Sequence, residues 1–169
     1  LVFDVGGVRM GYEICEDAWS AQRPGIGLSA RGVDLILNPS ASHFAFDKYE
    51  VRKRFVLEGS RAFGVAYLYA NLLGNEAGRI VYDGGCLIAS EGRMAAEGNR
   101  FGFQEVEILS AAVDLDALRM MRAKTASARP VITEVRGVVS VDFPWSYGAR
   151  KPLTAKTPGK EWIKEEEFE

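Results

Sequence analysis

The sequence predicts a layered α/β domain built on mixed sheets. Three observations carry this. Apolar, strand-like runs flank the glycine pair Gly6-Gly7. A nearly continuous apolar run, Val33-Asp34-Leu35-Ile36-Leu37-Asn38, is followed by a long helical stretch. Short strands then recur around glycine turns. A strand–helix–strand order followed by hairpins belongs to layered α/β architectures.

The elements follow in chain order. Leu1 to Val5 and Val8 to Ile14 read as two strands joined by a hairpin-like turn at Gly6-Gly7. Arg23-Pro24-Gly25 is a breaker, and Ile26 to Ala30 a short helix closed by Gly32. The Val33 to Asn38 run has the pattern of a strand buried on both faces, and Pro39 to Ser42 leaves it as a polar loop. Asp47 is placed to N-cap a helix that runs to about Phe63 and stops at Gly64. Val51, Phe55, Val56, Leu57 and Ala62 supply its apolar residues. Val65 to Leu73 and Ile80 to Tyr82 read as strands, with a polar-tipped hairpin between Tyr69 and Arg79. Cys86 to Ala89 and Met94 to Ala96 form a hairpin around Glu91-Gly92. Gln104 to Val113 is expected as a strand and Leu115 to about Lys124 as a helix. Val131 to Val141 has room for a strand or two. Phe143 to Thr157, rich in Pro, Gly and Lys, reads as an extended connection, and Lys160 to Glu169 as the start of a charged helix.

Composition excludes several classes. The chain has 169 residues, 47% hydrophobic and 26% charged, which suits one globular domain. A net charge of -2 gives no reason to expect nucleic acid or an anionic membrane as partner. No apolar run approaches the roughly 20 residues that span a bilayer. Two cysteines and one histidine, far apart, make neither a disulfide framework nor a structural zinc site, so no metal is expected. A reducing cytoplasm is the simplest compartment. The first residues read as a strand already in progress, without an initiator methionine or signal peptide. Both ends are therefore expected to be cuts through something larger.

The residue that carries most chemistry is Cys15, in Gly11-Tyr12-Glu13-Ile14-Cys15-Glu16-Asp17-Ala18-Trp19. Here a hydrophobic strand breaks into a polar turn, the place where α/β enzymes expose reactive groups. On this segment alone a free cysteine is more commonly a buried small hydrophobe. Three further strand-end segments change that balance: Asn38-Pro39-Ser40-Ala41-Ser42-His43-Phe44 with Lys48 after it, Tyr69-Ala70-Asn71-Leu72-Leu73-Gly74-Asn75-Glu76, and Tyr82-Asp83-Gly84-Gly85-Cys86. In this order the four motifs resemble the nitrilase-type carbon–nitrogen hydrolase superfamily, and more narrowly the glutaminase domain of glutamine-dependent NAD+ synthetases. The resemblance is dense from about Leu1 to Phe103. It returns at Lys164 to Phe168, which is similar to the family's lead-in to a second, ATP-using domain.

The resemblance implies a nitrilase-like αββα sandwich, of which this chain holds the later part. It also implies a Cys–Glu–Lys triad that hydrolyses the side-chain amide of glutamine through a thioester. A thiolate is an efficient nucleophile once activated, a carboxylate serves as base and then as acid, and an ammonium stabilises the oxyanion. Only the cysteine maps, onto Cys15. The family's Glu and Lys lie well upstream, and Asp4, Arg9 and Glu13 do not match their motifs. Glu13 is expected to be structural, and Asp17 to fix the turn. For substrate binding the resemblance points to Glu16 as a pocket residue, Trp19 as an aromatic wall, and Ser42 and Lys48 for the amino and carboxylate ends of glutamine. A lysine can pair with a carboxylate, although the family often has arginine there. His43, the only histidine, invites a Cys–His pairing that the family does not use. Cys86 stands where the family has a small residue and is expected to be buried and inert.

On this reading residues 1-129 form a partial carbon–nitrogen hydrolase domain and 130-169 a linker to an ATP-dependent synthetase domain. The implied partners are glutamine, that synthetase domain and further copies in a homo-oligomer. No cofactor belongs to these residues; ATP and magnesium are implied for the synthetase domain. With two triad members unmatched, the chain alone is expected to be inactive. Two other readings remain open: a stand-alone nitrilase-family amidase, and a non-catalytic assembly fragment.

Overall fold

The computed structural model describes residues 1–76, 78–125 and 137–143. Its centre is a seven-stranded mixed sheet. Strands β1 (Val2–Val5) and β2 (Val8–Tyr12) form the expected antiparallel pair across Gly6-Gly7. Parallel to β2 run β3 (Leu35–Ser40) and then β4 (Ala66–Asn71). The antiparallel strands β7 (Cys86–Ser90) and β8 (Arg93–Glu97) extend the sheet on one side. On the other side, β9 (Val138–Val141) pairs parallel to β1, giving the order β8-β7-β4-β3-β2-β1-β9. A separate two-stranded ribbon, β5 (Leu73–Glu76) and β6 (Ile80–Asp83), leaves the end of β4.

Helix α1 (Pro24–Ala30) packs against β2, and α2 (Lys48–Phe63) lies across β4, β7 and β8. Both cover one face of the sheet. The core between them holds Leu28, Ile36, Val56, Val65, Tyr67, Tyr69, Leu87 and Ala89. Of the apolar residues expected to seat α2, Val56 is fully buried and Phe55 and Leu57 pack against the core. Val51 and Ala62 face solvent. Gly64 ends α2 in the left-handed region, at φ 62°, as a glycine C-cap does. Helix α3 (Leu115–Lys124) is N-capped by Asp114, whose Oδ1 accepts from the Ala117 amide. It is clamped to the start of β3: Arg119 pairs with Asp34 at 2.6 Å, and Arg122 reaches it at 3.5 Å. Asp34 is 2% exposed; burial alone would raise its pKa, but Arg119 and the Arg9 amide outweigh that and lower it.

Three expectations are corrected. Gln104 to Val113 forms no strand; its apolar residues Val106 and Ile108 are 69% and 82% exposed, and no strand among the described residues pairs with it. Strand β3 runs through Pro39 to Ser40 instead of stopping at Asn38. A proline is tolerated there because pairing with β2 ends at Leu37, so β3 is by then an edge on that side. Asp47 sits at the N-cap of α2 but in the left-handed region at φ 60°, and its side chain makes no capping bond. Strand β9 falls within Val131 to Val141, where there is room for a strand or two, and its Val-rich run joins the main sheet beside β1. The extended connection after Phe143, the charged tail and the hairpin tip at Ala77 lie outside the described residues.

Candidate active site

Strands β2, β3 and β4 are parallel, so their carboxyl ends meet on one edge of the sheet, where open α/β folds place ligands. Cys15 follows β2 there, the loop carrying Ser42 and Lys48 follows β3, and Asn71 ends β4. Cys15 opens a short 3-10 helix, Cys15–Trp19, and its own φ is 50°. A non-glycine residue in this region is strained, and such strain persists where the surroundings over-determine it. Those surroundings are visible. Asp17 Oδ2 accepts from the Ile14 amide at 2.8 Å, and the Asp17 amide donates to the Ile14 carbonyl at 3.0 Å. Asp17 thus fixes the turn. The Cys15 thiol is free and half-buried.

Glu13 braces the chain just before Cys15. It is fully buried. Its Oε1 accepts from the Gly25 amide at 2.6 Å and from Arg23 Nε at 3.3 Å; its Oε2 accepts from Arg23 Nη2 at 2.7 Å and from the Tyr67 hydroxyl at 2.6 Å. Gly25 is required for this approach, since a Cβ there would lie 2.6 Å from Glu13 Oε1 and 2.4 Å from the Phe63 ring. The Arg23 guanidinium lies over the rings of Phe55, Phe63 and Tyr67. Burial works against its charge, but the Glu13 carboxylate holds its pKa above the usual value. Asn38 joins the same network, donating to the Tyr67 hydroxyl at 3.1 Å and accepting from Ser40 Oγ at 2.5 Å. It is strand-end structure.

The Ser42 loop is held by a second buried network. Arg52, four residues after Lys48 on α2, is fully buried and grips both Asp83 oxygens, at 2.7 and 2.9 Å. Its Nη2 donates to the Ser42 carbonyl at 2.8 Å, to Ser42 Oγ at 3.2 Å and to the His43 carbonyl at 2.9 Å. Arg100 Nε binds Asp83 from the other side at 3.0 Å. Asn71 closes the loop: its Oδ1 accepts from the Ser42 amide and its Nδ2 donates to the Ser42 carbonyl. Ser42 Oγ, as an acceptor from Arg52, keeps its own proton for a further partner.

Lys48 Nζ lies 5.7 Å from the centre of the Trp19 ring and 3.4 to 3.5 Å from the ring nitrogens of His43. Burial, then the Arg52 guanidinium, lower its pKa; the charges on Asp83 and on a Cys15 thiolate pull the other way. Trp19 is 40% exposed and meets Phe55 edge-on at 5.2 Å. Trp19 and Lys48 thus lie together, with Cys15 within electrostatic reach of Lys48, and the Ser42 loop follows β3 at the same edge. Glu16 stands apart, on the solvent side of the 3-10 helix. Cys86 is half-buried on β7, and burial and Glu107 raise its thiol pKa. Arg52 and Arg100 escaped the sequence reading. The spacing of Lys48 and Arg52 was the available signal for the first, because residues four apart share a helix face. Among the described residues no group of three or more His, Cys, Asp or Glu could hold a metal ion.

The site thus sets a free cysteine on a strained strand-end turn of an α/β sheet, above a buried carboxylate network. The chain belongs to the carbon-nitrogen hydrolase family, whose model matches residues 1–123. It is 37% identical over 138 residues to a glutamine-dependent NAD(+) synthetase of Oryza sativa subsp. indica, covering 82% of this chain and 19% of that protein. The chain thus spans about a fifth of the length of this relative. Among solved structures, a glutamine-dependent NAD(+) synthetase from Cytophaga hutchinsonii matches 62% of this chain and 16% of its own, at 44% identity and a TM-score of 0.53. An amidase from Nesterenkonia sp. AN1, captured with the acetamide moiety of fluoroacetamide added covalently at its active site cysteine, matches 59% of this chain and 36% of its own at 27% identity, TM-score 0.52. These neighbours share the nitrilase-type fold.

Proposed function

We propose that this chain is the nucleophile-bearing part of a glutamine amidohydrolase domain in a glutamine-dependent NAD+ synthetase. The observation that carries the reading is Cys15, at positive φ on the shared edge of β2, β3 and β4, beside a loop whose Ser42 is held by Arg52 and within electrostatic reach of Lys48. In the reaction, Cys15 Sγ bonds to the amide carbon of glutamine and the C–N bond breaks, releasing ammonia that takes its proton from a general acid. Water then attacks the thioester, the C–S bond breaks, and glutamate leaves a free thiol. Lys48 pairs with the substrate carboxylate and Ser42 donates to it. Trp19 walls the pocket. Glu16, exposed here, touches substrate only at the pocket mouth. The general base and the oxyanion lysine of the family come from outside these residues. The ammonia amidates deamido-NAD+ in a synthetase domain that uses ATP and magnesium, and none of the residues here is assigned to either. In the same reading the enzyme is a cytoplasmic homo-oligomer. None of the described helices is long and apolar enough to cross a membrane.

The test uses the natural full-length protein carrying these residues. Incubation with glutamine should yield glutamate and ammonia, and Cys15→Ala should cut that turnover by at least about 10³-fold, as loss of a covalent nucleophile does. Undiminished turnover in Cys15→Ala would falsify the assignment. The similarity to an amidase supports a second reading, a stand-alone amidase. Turnover of short aliphatic amides with no glutamine hydrolysis and no NAD+ formation would favour it.

A further inference from the structure

Lys48, the residue proposed to take the substrate carboxylate, carries its charge on a flexible stem, so its aim has to come from its neighbours. Asp83 is the carboxylate within its electrostatic reach, and Asp83 is already paired with Arg52 and Arg100. Arg52 itself, one turn further along α2, repels the ammonium. The groups that meet Lys48 Nζ are two rings. The centre of the Trp19 ring lies 5.7 Å away, and His43 lies closer, at 3.5 Å by Nδ1 and 3.4 Å by Nε2.

The main chain sets His43 up for this contact. Its carbonyl accepts from the buried Arg52 Nη2 at 2.9 Å, and the next amide, that of Phe44, donates to the Val81 carbonyl at 2.7 Å. The loop then turns into α2 through Asp47, at φ 60°. The backbone is thus pinned while the imidazole stands exposed beside Lys48. The chemistry of the pair depends on the state of the ring. A lysine ammonium has only donors. A neutral imidazole offers it one acceptor nitrogen, whereas an imidazolium offers two donors and a like charge. Neutral His43 therefore holds the ammonium, and protonated His43 repels it. The other charged or titratable groups about the pair are Arg52 on α2, Asp83 at the end of β6 and the Cys15 thiol after β2.

We propose that His43 is a positioning residue for Lys48: its neutral ring holds the ammonium in place for the carboxylate of an amino-acid substrate, and its protonation withdraws that hold. This rests on the amidohydrolase reading above and deepens it. The imidazole acts through Lys48 and needs no contact with Cys15 or with substrate. Substrate binding should then weaken as pH falls through the range in which histidines titrate, roughly pH 8 to 5. That loss lies on the opposite side of neutrality from the one caused when Lys48 itself gives up its proton.

The experiment measures glutamine binding by titration calorimetry to the natural full-length protein carrying Cys15→Ala, so that neither turnover nor the thiol contributes. Its Kd should rise about threefold to tenfold between about pH 7.5 and about pH 5.5. Adding His43→Gln, which keeps a neutral acceptor at every pH, should abolish that rise. Adding His43→Lys, which is a cation across the whole interval, should give weak binding throughout. His43 is exposed, so these proteins should fold. A Kd that does not change with pH overturns the proposal, and so does a rise that persists in His43→Gln. Lys48→Ala separates the two levels of inference. If it weakens binding and the His43 variants behave as their parent, only the role of His43 fails. If Lys48→Ala binds glutamine as tightly as its parent, or the parent binds none at any pH, the substrate reading fails and the role of His43 with it.

Discussion

Lys48 is where charge and burial meet most directly in this site. It is placed in the first turn of α2, half-buried, with Arg52 one turn below and Trp19 against it. Its lowered pKa has a functional sign. Burial and Arg52 make the ammonium easier to lose, so the cation should disappear at a lower pH than that of a solvent-exposed lysine. If Lys48 binds the substrate carboxylate, KM for glutamine in the full-length protein should climb on the alkaline side, beginning below the ordinary lysine range. Lys48→Ala should raise KM at neutral pH by roughly 10- to 100-fold, the worth of a charge-assisted hydrogen bond, with a smaller effect on kcat. Lys48→Arg should restore binding and flatten the alkaline limb, because a guanidinium stays charged throughout. A pH-independent KM in the wild-type protein would refute the pairing. At this scale the sequence was informative where a residue's chemistry is uncommon for its setting. Cys15 stands out by its place at a strand end, whereas Ser42 and Lys48 are singled out only by the resemblance to the family's motifs. Arg52 could not be picked out, because an arginine within a helical run looks like part of a solvated face until both oxygens of Asp83 are seen against it.

Among the elements, local pattern served where local physics decides. The Gly6-Gly7 turn, the run of α2 up to Gly64 and the hairpin at Glu91-Gly92 rest on turn chemistry and periodicity, and all three are present. Gln104 to Val113 fails for the opposite reason: a strand needs a neighbour, and β-propensity cannot say whether one exists. The Arg52–Asp83–Arg100 cluster is non-local in the same way. It joins α2, the end of β6 and the residues after β8, and through Arg52 it sets the Ser42 and His43 carbonyls. The two guanidiniums flank one buried carboxylate, so removing that carboxylate alone leaves buried cations uncompensated. Asp83→Leu should therefore destabilise the full-length protein strongly, by about 3–5 kcal/mol. Replacing Arg52 and Asp83 together by Met and Leu should recover part of that loss while still impairing glutamine binding, since the Ser42 loop would have lost its anchor. Denaturant melts of the single and double variants give the coupling energy. A double variant no more stable than Asp83→Leu would contradict this account.

For the whole molecule, the asymmetry of the sheet matters most. One face is sealed by α1 and α2. The other carries Phe3, Tyr12, Leu37, Leu68 and Ile88, reached by alternation from the buried residues of the same strands. Tyr12 is 43% exposed and stacks edge-on against Phe3. A cavity of about 380 Å³ opens on this side between Tyr12, Leu68, Ile88 and the extended segment at Ile108. Ile14, Val106 and Ile108 are more than half exposed nearby. Among the described residues this face is only partly covered, with Tyr12 exposed and Leu37 and Leu68 half-buried, so it resembles one half of a two-layer sandwich, and exposed apolar patches of this kind drive association. Alternation within each strand made the two faces legible in the sequence, but which face would be covered depends on where the helices cross, and that is a property of the assembled sheet. The consequence can be measured. These 169 residues, expressed on their own, should self-associate in a concentration-dependent manner and bind a dye specific for apolar surface. Tyr12→Lys with Leu68→Lys, placed on the open face and away from the α2 core, should weaken both effects. A wild-type chain that sediments as a monomer at every concentration and binds no dye would show that this face is already covered, and that the second layer is not needed to shield it.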